Sequence, residues 1–391
     1  MRILVATDDT VGPVMAGSAL RAFELARVLE RHGHELRLAA AGSLPAADSG
    51  LPLVSEPPWG WAEAVVAPPW SLPPRAFLGR HLLIVDGITP LLAELAAMPP
   101  TRARARRLRT AAARLPLVAA RADAVLAGGP AQVEWWSEQL RGRFGLPLLT
   151  VPFGIPDEPP PPEGGRVAGV PDDWTVVLWW GGVWPWLDLD TLLDARARLG
   201  RAPVSIIVPV GCRPGAHDPG WSAGDLEEAV RARGLVPPQV VALDEWVPYR
   251  DRHRILNRAA LVAVLHRSGD EAALSFRTRA LDAVWAGVPL LLSEGGEVSR
   301  LARQHGWGGV VPPGDAAAAA VAIGRLLSDG EQTRCRAALA RSRPSWTWSR
   351  VAEPLLAALP ELPRVARRSL LPAALRAALE LRAGSPRGGT A

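Results

Sequence analysis

The sequence predicts an α/β protein built from two parallel-sheet domains that face a central cleft, and three observations carry that expectation. Short apolar runs of strand length alternate with longer segments of helical period from the first residues onward. A single proline block, Val151-Pro-Phe-Gly-Ile-Pro-Asp-Glu-Pro-Pro-Pro-Pro-Glu-Gly-Gly, interrupts this alternation, and beyond it the alternation starts again. A four-proline run neither continues a helix nor sits in a central strand, so the interdomain linker is placed there. The expected division is 1–160, 166–345 and a helical tail, 346–391, that packs back on the first domain.

Taken in order, Ile3 to Ala6 reads as a buried first strand, followed by a helix from Ala19 to Arg31 with apolar Leu20, Phe23, Leu25, Val28 and Leu29. Gly33 ends that helix and Glu35 to Ala40 is the next strand, which opens a βαβ unit. Leu82 to Val85 and Ala124 to Leu126 are further strands, the second followed by a helix from about Ala131 to Gly142. After the linker come Thr175–Trp180 (strand), Leu189–Leu199 (helix), Ser205–Val208 (strand), Gly224–Arg233 (helix) and Val240–Leu243 (strand). Leu261–Leu265, a helix over Phe276–Trp285 and Pro289–Leu292 complete the second domain, and Trp346 begins the helical tail. Each strand ends in a loop at the edge where doubly wound sheets hold their ligands.

With 391 residues, 48% hydrophobic and 21% charged, the chain has ample material for two or three cores. All 44 cationic residues are arginine, which excludes a lysine Schiff base or a P-loop lysine. Against 39 acids the net charge is only +5, and arginines alternate with acids over most of the chain, so no nucleic-acid partner is expected. Cys212 and Cys335 stand far apart with no CxxC, which leaves neither a disulfide framework nor a thiolate zinc site. The first apolar run is closed by Asp8 and Asp9, too early for a signal peptide, and Val176–Leu187 is broken by Gly181, Gly182 and Pro185. No stretch nears the roughly 20 apolar residues of a membrane span, so the expected location is cytoplasmic, with any membrane contact peripheral.

The segments Gly12-Pro-Val-Met-Ala-Gly-Ser-Ala-Leu-Arg-Ala-Phe-Glu-Leu-Ala, Val85-Asp-Gly-Ile-Thr-Pro-Leu-Leu-Ala-Glu and Ala122-Asp through Gln132-Val-Glu-Trp-Trp stand in the first half. The linker's Val-Pro-Phe-Gly-Ile-Pro, then Trp246-Val-Pro-Tyr-Arg and Ser275-Phe-Arg-Thr-Arg-Ala-Leu-Asp-Ala-Val-Trp-Ala-Gly-Val-Pro, follow. As an ordered set over about residues 1 to 360, these resemble the family-four glycosyltransferases of the GT-B fold, in particular a bacterial subgroup found with surface-polysaccharide synthesis. The resemblance implies a nucleotide-diphosphate sugar as donor substrate, no obligatory cofactor, and a glycan, lipid-linked or small-molecule acceptor. It also implies transfer with retention of anomeric configuration.

A sugar nucleotide needs a slot for the base, a carboxylate for the ribose hydroxyls and concentrated donors for the diphosphate. With Ser275 as N-cap, the amides of Phe276, Arg277 and Thr278 would point out of the helix toward an anion. Arg277 and Arg279 in that first turn oppose the helix dipole, which an anionic ligand explains; a surface network with Asp270, Glu271 or Asp282 is the alternative. The resemblance aligns Asp282 with the acid that holds the ribose, and Glu271 with the acid that contacts donor-sugar hydroxyls; a loop carboxylate beside Arg267 is the other reading of Glu271. Gly181 and Gly182 allow close backbone approach, but Val183 and Leu187 stand where the family carries its basic diphosphate clamp. Neutralising charge is therefore expected from Arg277, Arg279 and Arg213.

Trp184 and Trp186 would stack on a base or sugar, or pack between domains, and Trp246, with Val247 and Tyr249, resembles the base-holding loop. Gly12 and Gly17 flank a first-domain loop that the resemblance makes a donor-diphosphate or acceptor contact. Asp86, just past a strand end, is the expected carboxylate for an acceptor hydroxyl, or else a helix cap, with Glu94 two helical turns further on. Asp188-Leu-Asp190 spells a metal-binding DxD, yet it stands at a helix start where aspartates cap amides, so no metal site is expected. Thr101–Arg114 holds six arginines and no acid, and the tail to Arg382 has the same character. Such basic amphipathic surfaces suit an anionic membrane surface as well as plain solvation. The sequence leaves two other classes open: a catalytically silent subunit of the same fold, and a nucleotide-sugar epimerase.

Overall fold

A computed structural model describes residues 1–43, 50–140, 145–210, 221–243, 246–362 and 370–382. In the first half the strands are β1 (Arg2–Ala6), β2 (Thr10–Val11), β3 (Glu35–Ala39), β4 (Gly42–Ser43), β5 (Leu53–Val54), β6 (Ala64–Ala67), β7 (Leu82–Asp86), β8 (Ala124–Ala127) and β9 (Leu148–Thr150). In the second half they are β10 (Thr175–Trp179), β11 (Val204–Pro209), β12 (Val240–Leu243), β13 (Leu261–Val264), β14 (Leu290–Ser293) and β15 (Gly308–Val311). One sheet runs β5-β3-β1-β6-β7-β8-β9 and the other β12-β11-β10-β13-β14-β15, while β2 and β4 form a small separate pair. Every pairing is parallel.

Each main sheet reverses its winding beside its first strand, between β1 and β6 and between β10 and β13. Such reversals leave a crevice at the carboxyl ends of the strands. The strands are buried on both faces, as helices on each side require: β6, β8, β11, β13 and β14 have no exposed residue. These two α/β domains face one another in the GT-B arrangement.

Several short strands escaped the sequence reading, among them β6, which ends at Pro68-Pro69, and β15, which begins Gly308-Gly309. A side chain at Gly308 would lie 1.9 Å from the Leu290 carbonyl oxygen, so glycine is there to let β15 close on β14. The proline block is held at several points. Val151, Phe153 and Ile155 are buried, Ile155 bridges to Thr347, and Asp157 accepts from Arg31 and from Ser349. Trp348 meets Phe153 edge-on at 4.9 Å, and its helix, Trp348–Val351, packs on the helix Gly17–Arg31. The helix Leu371–Arg382 lies against the helices Leu115–Arg121 and Arg102–Ala112.

Candidate active site

A cleft of about 810 Å³ lies between the two sheets, lined by the loops after β1, β7, β10 and β13 and by the loop that begins at Trp246. The helices Gly17–Arg31 and Thr278–Ala286 start on opposite walls and point their amino ends at each other. A side chain at Gly17 would come within 3.5 Å of Thr278 Oγ1. Neither helix has a capping hydrogen bond from its N-cap side chain, Ala16 or Arg277, and the amino end of a helix favours an anion.

The helix start differs from the sequence expectation. Ser275 is the C-cap of a short helix, Asp270–Leu274, and Arg277 occupies the N-cap position, so the open amides begin at Thr278. The two arginines then part ways. Arg277 is 2% exposed and turns inward: it donates to the Ser293 carbonyl, to Ser299 Oγ at 2.8 Å and to the Glu294 carbonyl at 3.1 Å. It thereby ties the end of β14 to the start of the next helix. Arg279 lies against Gly181 and makes no hydrogen bond or ion pair with any described residue. Burial lowers its pKa to about 10, with Glu271 and Glu94 opposing, so it stays charged at neutral pH.

Gly181 has φ +90°, which favours glycine, and a side chain there would stand 2.6 Å from Arg279 Nε and push the arginine aside. Gly182 lies behind Trp184, and Val183 and Leu187 are buried, so this loop brings aromatic rings to the cleft and no cation. Trp184 and Trp186 stack at 6.2 Å, and Trp246 adjoins Gly182 beside Trp184. Tyr249 also lines the cleft and donates its hydroxyl to Glu24 at 3.0 Å. Arg213 lies outside the described residues.

Glu271 is 4% exposed and shares a 2.8 Å hydrogen bond with His266 Nδ1; Arg267 pairs with Asp190 instead. Burial raises the Glu271 pKa to about 7, against the pull of Ser275, Arg277 and Arg279, and burial with the same arginines keeps His266 neutral. When Glu271 is ionised, His266 Nδ1–H donates to it; when it is protonated, the carboxyl donates to Nδ1. Asp282 keeps a face on the cleft while both its oxygens already accept bonds, from Trp180 Nε1 at 2.8 Å and Arg252 Nε at 2.9 Å.

On the amino-terminal wall Asp86 caps no helix and is not among the residues that line the cleft, and its Oδ1 is buried with no hydrogen-bond partner among the described residues. It forms a 2.7 Å ion pair with Arg21, whose other nitrogens donate to the carbonyls of Pro152 and Val151. Glu94 is the carboxylate of that wall which lines the cleft. Gly17 lines it too, but Gly12 is buried behind, in a loop whose Pro13 carbonyl accepts from the Tyr249 amide. Asp188 caps its helix, accepting from the Thr191 amide and hydroxyl, and Asp190 is held by Arg233 and Arg267. Among the described residues no group of three or more potential metal ligands is found.

The sequence reading missed His266 and Arg252, and it placed Arg21 only at the opening of the first helix without its partner. An arginine and an acid, Arg21 and Glu24, interrupt the otherwise apolar run of the first helix, which was the available signal for buried polar roles there.

No protein-family model matches the chain, and no curated protein matches it by sequence. Solved structures do match in fold. Sucrose-phosphate synthase from Thermosynechococcus elongatus is 16% identical with a TM-score of 0.65, covering 92% of this chain and 98% of its own. Anabaena HepE in complex with UDP-glucose is 16% identical with a TM-score of 0.66, covering 93% of this chain and 100% of its own. WaaG, a glycosyltransferase involved in lipopolysaccharide biosynthesis, is 15% identical with a TM-score of 0.64, covering 91% and 98%.

Proposed function

We propose that this chain is a glycosyltransferase of the family-four kind that moves a sugar from a nucleotide-diphosphate sugar to an acceptor hydroxyl. One observation carries the reading: Arg279, charged and with no hydrogen bond or ion pair to any described residue, stands where the amino ends of two helices converge over a positive-φ glycine. That is a pocket for a diphosphate, with Trp246 and Trp184 as base-stacking surfaces and Asp282 for the ribose. The complex of HepE with UDP-glucose favours a uridine donor as the first to try.

In the step proposed, the acceptor hydroxyl oxygen bonds to the anomeric carbon on the face the diphosphate leaves. The bond from that carbon to the diphosphate oxygen breaks, the electron pair stays on the diphosphate, and a diphosphate oxygen takes the acceptor proton, which retains configuration. Arg279 and the helix amides stabilise the departing charge, Glu94 holds the acceptor hydroxyl, and Glu271 with His266 contacts donor-sugar hydroxyls. Arg279 fills the charge role of a cation and Asp188 is taken up by capping, so the reading needs no metal.

A calorimetric and thermal-shift panel of nucleoside-diphosphate sugars, with and without EDTA, tests this. A tight hit indifferent to EDTA, followed by acceptor-dependent release of nucleoside diphosphate, is the expected result; a panel with no hit would sink the reading. The buried Val183 and Leu187 at the clamp positions favour one second reading, a silent subunit that binds the nucleotide sugar without release of nucleoside diphosphate.

We also propose peripheral contact with an anionic membrane surface, supported by exposed Leu371, Leu375 and Leu379 beside the arginine-rich helix Arg102–Ala112. Arg104 is not free for this, because it donates to the carbonyls of Leu95 and Ala96, and Arg107 lines the cleft. The test is sedimentation with phosphatidylglycerol vesicles, which replacement of Arg102, Arg106 and Arg109 by Gln should abolish; no binding by the unaltered protein rejects the contact.

A further inference from the structure

The ribose carboxylate of the reading above is held by an arginine of its own domain, and that arginine is tied in turn to the opposite domain. Arg252, 4% exposed, donates Nε to Asp282 and Nη1 to the Tyr249 carbonyl, while its Nη2 is buried without a hydrogen-bond partner among the described residues. Its guanidinium is sandwiched between rings, 3.7 Å from Tyr249 and 4.1 Å from Trp285. Such stacking fixes the plane of an arginine, and with it the direction of its Nε–H.

The sandwich is anchored elsewhere. The Tyr249 hydroxyl donates to Glu24, a 3% exposed acid on the helix Gly17–Arg31 of the other domain, and the Tyr249 amide donates to Pro13 at 2.9 Å. The Trp285 indole donates to the Glu158 carbonyl in the linker at 2.9 Å. One domain, the linker and the donor wall therefore meet at Arg252. The same helix that carries Glu24 begins at Gly17, opposite Thr278 in the anion pocket.

We propose that Glu24, Tyr249 and Arg252 form a closure-dependent clamp that orients Asp282 toward the ribose diol of a bound nucleotide, so that the donor site is complete only with the two domains closed. Parting the domains separates Tyr249 from Glu24 and Pro13, frees the ring from Arg252 and lets the Asp282 carboxylate turn. By linkage, a nucleotide that engages Asp282 favours closure to the same extent that closure favours the nucleotide. All three are positioning residues. The proposal rests on the nucleotide-binding reading.

The test compares UDP with 2′,3′-dideoxy-UDP by calorimetry, together with the radius of gyration by X-ray scattering with and without UDP. The unaltered protein should prefer UDP by about tenfold or more, and have the compact radius of the closed form when UDP is bound. Tyr249→Phe keeps the ring and removes one hydrogen bond to a buried acid. It should weaken UDP about tenfold, bring the UDP to dideoxy-UDP ratio toward one and leave the UDP-bound protein expanded. Glu24→Leu should match it, Glu24→Gln, which keeps an acceptor, should restore the ratio, and the double variant Y249F/E24L should be no worse than either single. A general loss of stability would lower both affinities and leave their ratio unchanged, and that outcome overturns the clamp, as does additivity in the double variant. Should the unaltered protein bind neither nucleotide, the nucleotide-binding reading fails and takes the ribose role with it. The interdomain latch is then still decided by scattering without ligand, where expansion in Tyr249→Phe upholds it and an unchanged radius overturns it.

Discussion

The two helices that meet across the cleft begin alike and differ in what their arginines do. Both lack a side-chain cap, and both carry an arginine near the start. On the amino-terminal wall Arg21 is 1% exposed and fully engaged, with Asp86 and with the carbonyls of Val151 and Pro152 at the start of the linker. On the carboxyl-terminal wall Arg279 makes no hydrogen bond or ion pair with any described residue and rests on a glycine. A buried cation with every nitrogen satisfied builds a scaffold, whereas a charged group left unpaired beside open amides is poised for a ligand. The comparison separates two arginines whose sequence neighbourhoods look equally functional.

The largest expected effect tests the scaffold side. Arg21→Met leaves the Asp86 carboxylate buried without its counter-charge, and denaturant unfolding should show a loss of about 3–5 kcal/mol. A change below about 0.5 kcal/mol would break the contrast. The ligand side should respond in the opposite manner: Arg279→Ala should lower kcat by about 10²–10³-fold, as for loss of one preorganised charge donor, with stability within about 0.5 kcal/mol of the parent. Near-normal turnover would remove Arg279 from the anion pocket.

Gly181→Ala sharpens the same point by moving Arg279 without removing it. The positive φ and the 2.6 Å approach to Nε predict a cost of about 1–3 kcal/mol in unfolding, together with a weakened nucleotide affinity in calorimetry. The smallest effect concerns Glu271. Its pKa is raised to about 7, so the folded state binds a proton more readily than the unfolded state, and the stability this brings is lost as pH rises through 7. Melting temperatures measured from pH 5 to 8 should fall less with pH in Glu271→Gln than in the parent, and parallel curves would refute the assignment.

How much of this was legible beforehand follows the range of the interaction. The helix over Ala19–Arg31 was found within two residues at its start, because its apolar period is written locally. The capping role of Asp188 was legible for the same reason, since cap and capped amide lie three residues apart. The start of the helix that carries Arg279 was not, because Ser275 looks like a cap and only the packed chain makes it the end of the preceding short helix. The ion pair of Asp86 was not legible, because its partner, Arg21, lies 65 residues away.

By itself, then, the sequence determined the alternation of strands and helices and the capping role of Asp188. These rest on hydrophobic period and local capping, which act within a few residues. Only the tertiary structure decided which charges are satisfied: Arg21 by Asp86, Arg277 by the end of β14, Asp282 by Arg252, and Arg279 by none of the described residues. Pairing between buried charges depends on distance and desolvation in the packed chain, and residues as far apart as Glu24 and Tyr249 acquire both only when the two domains meet.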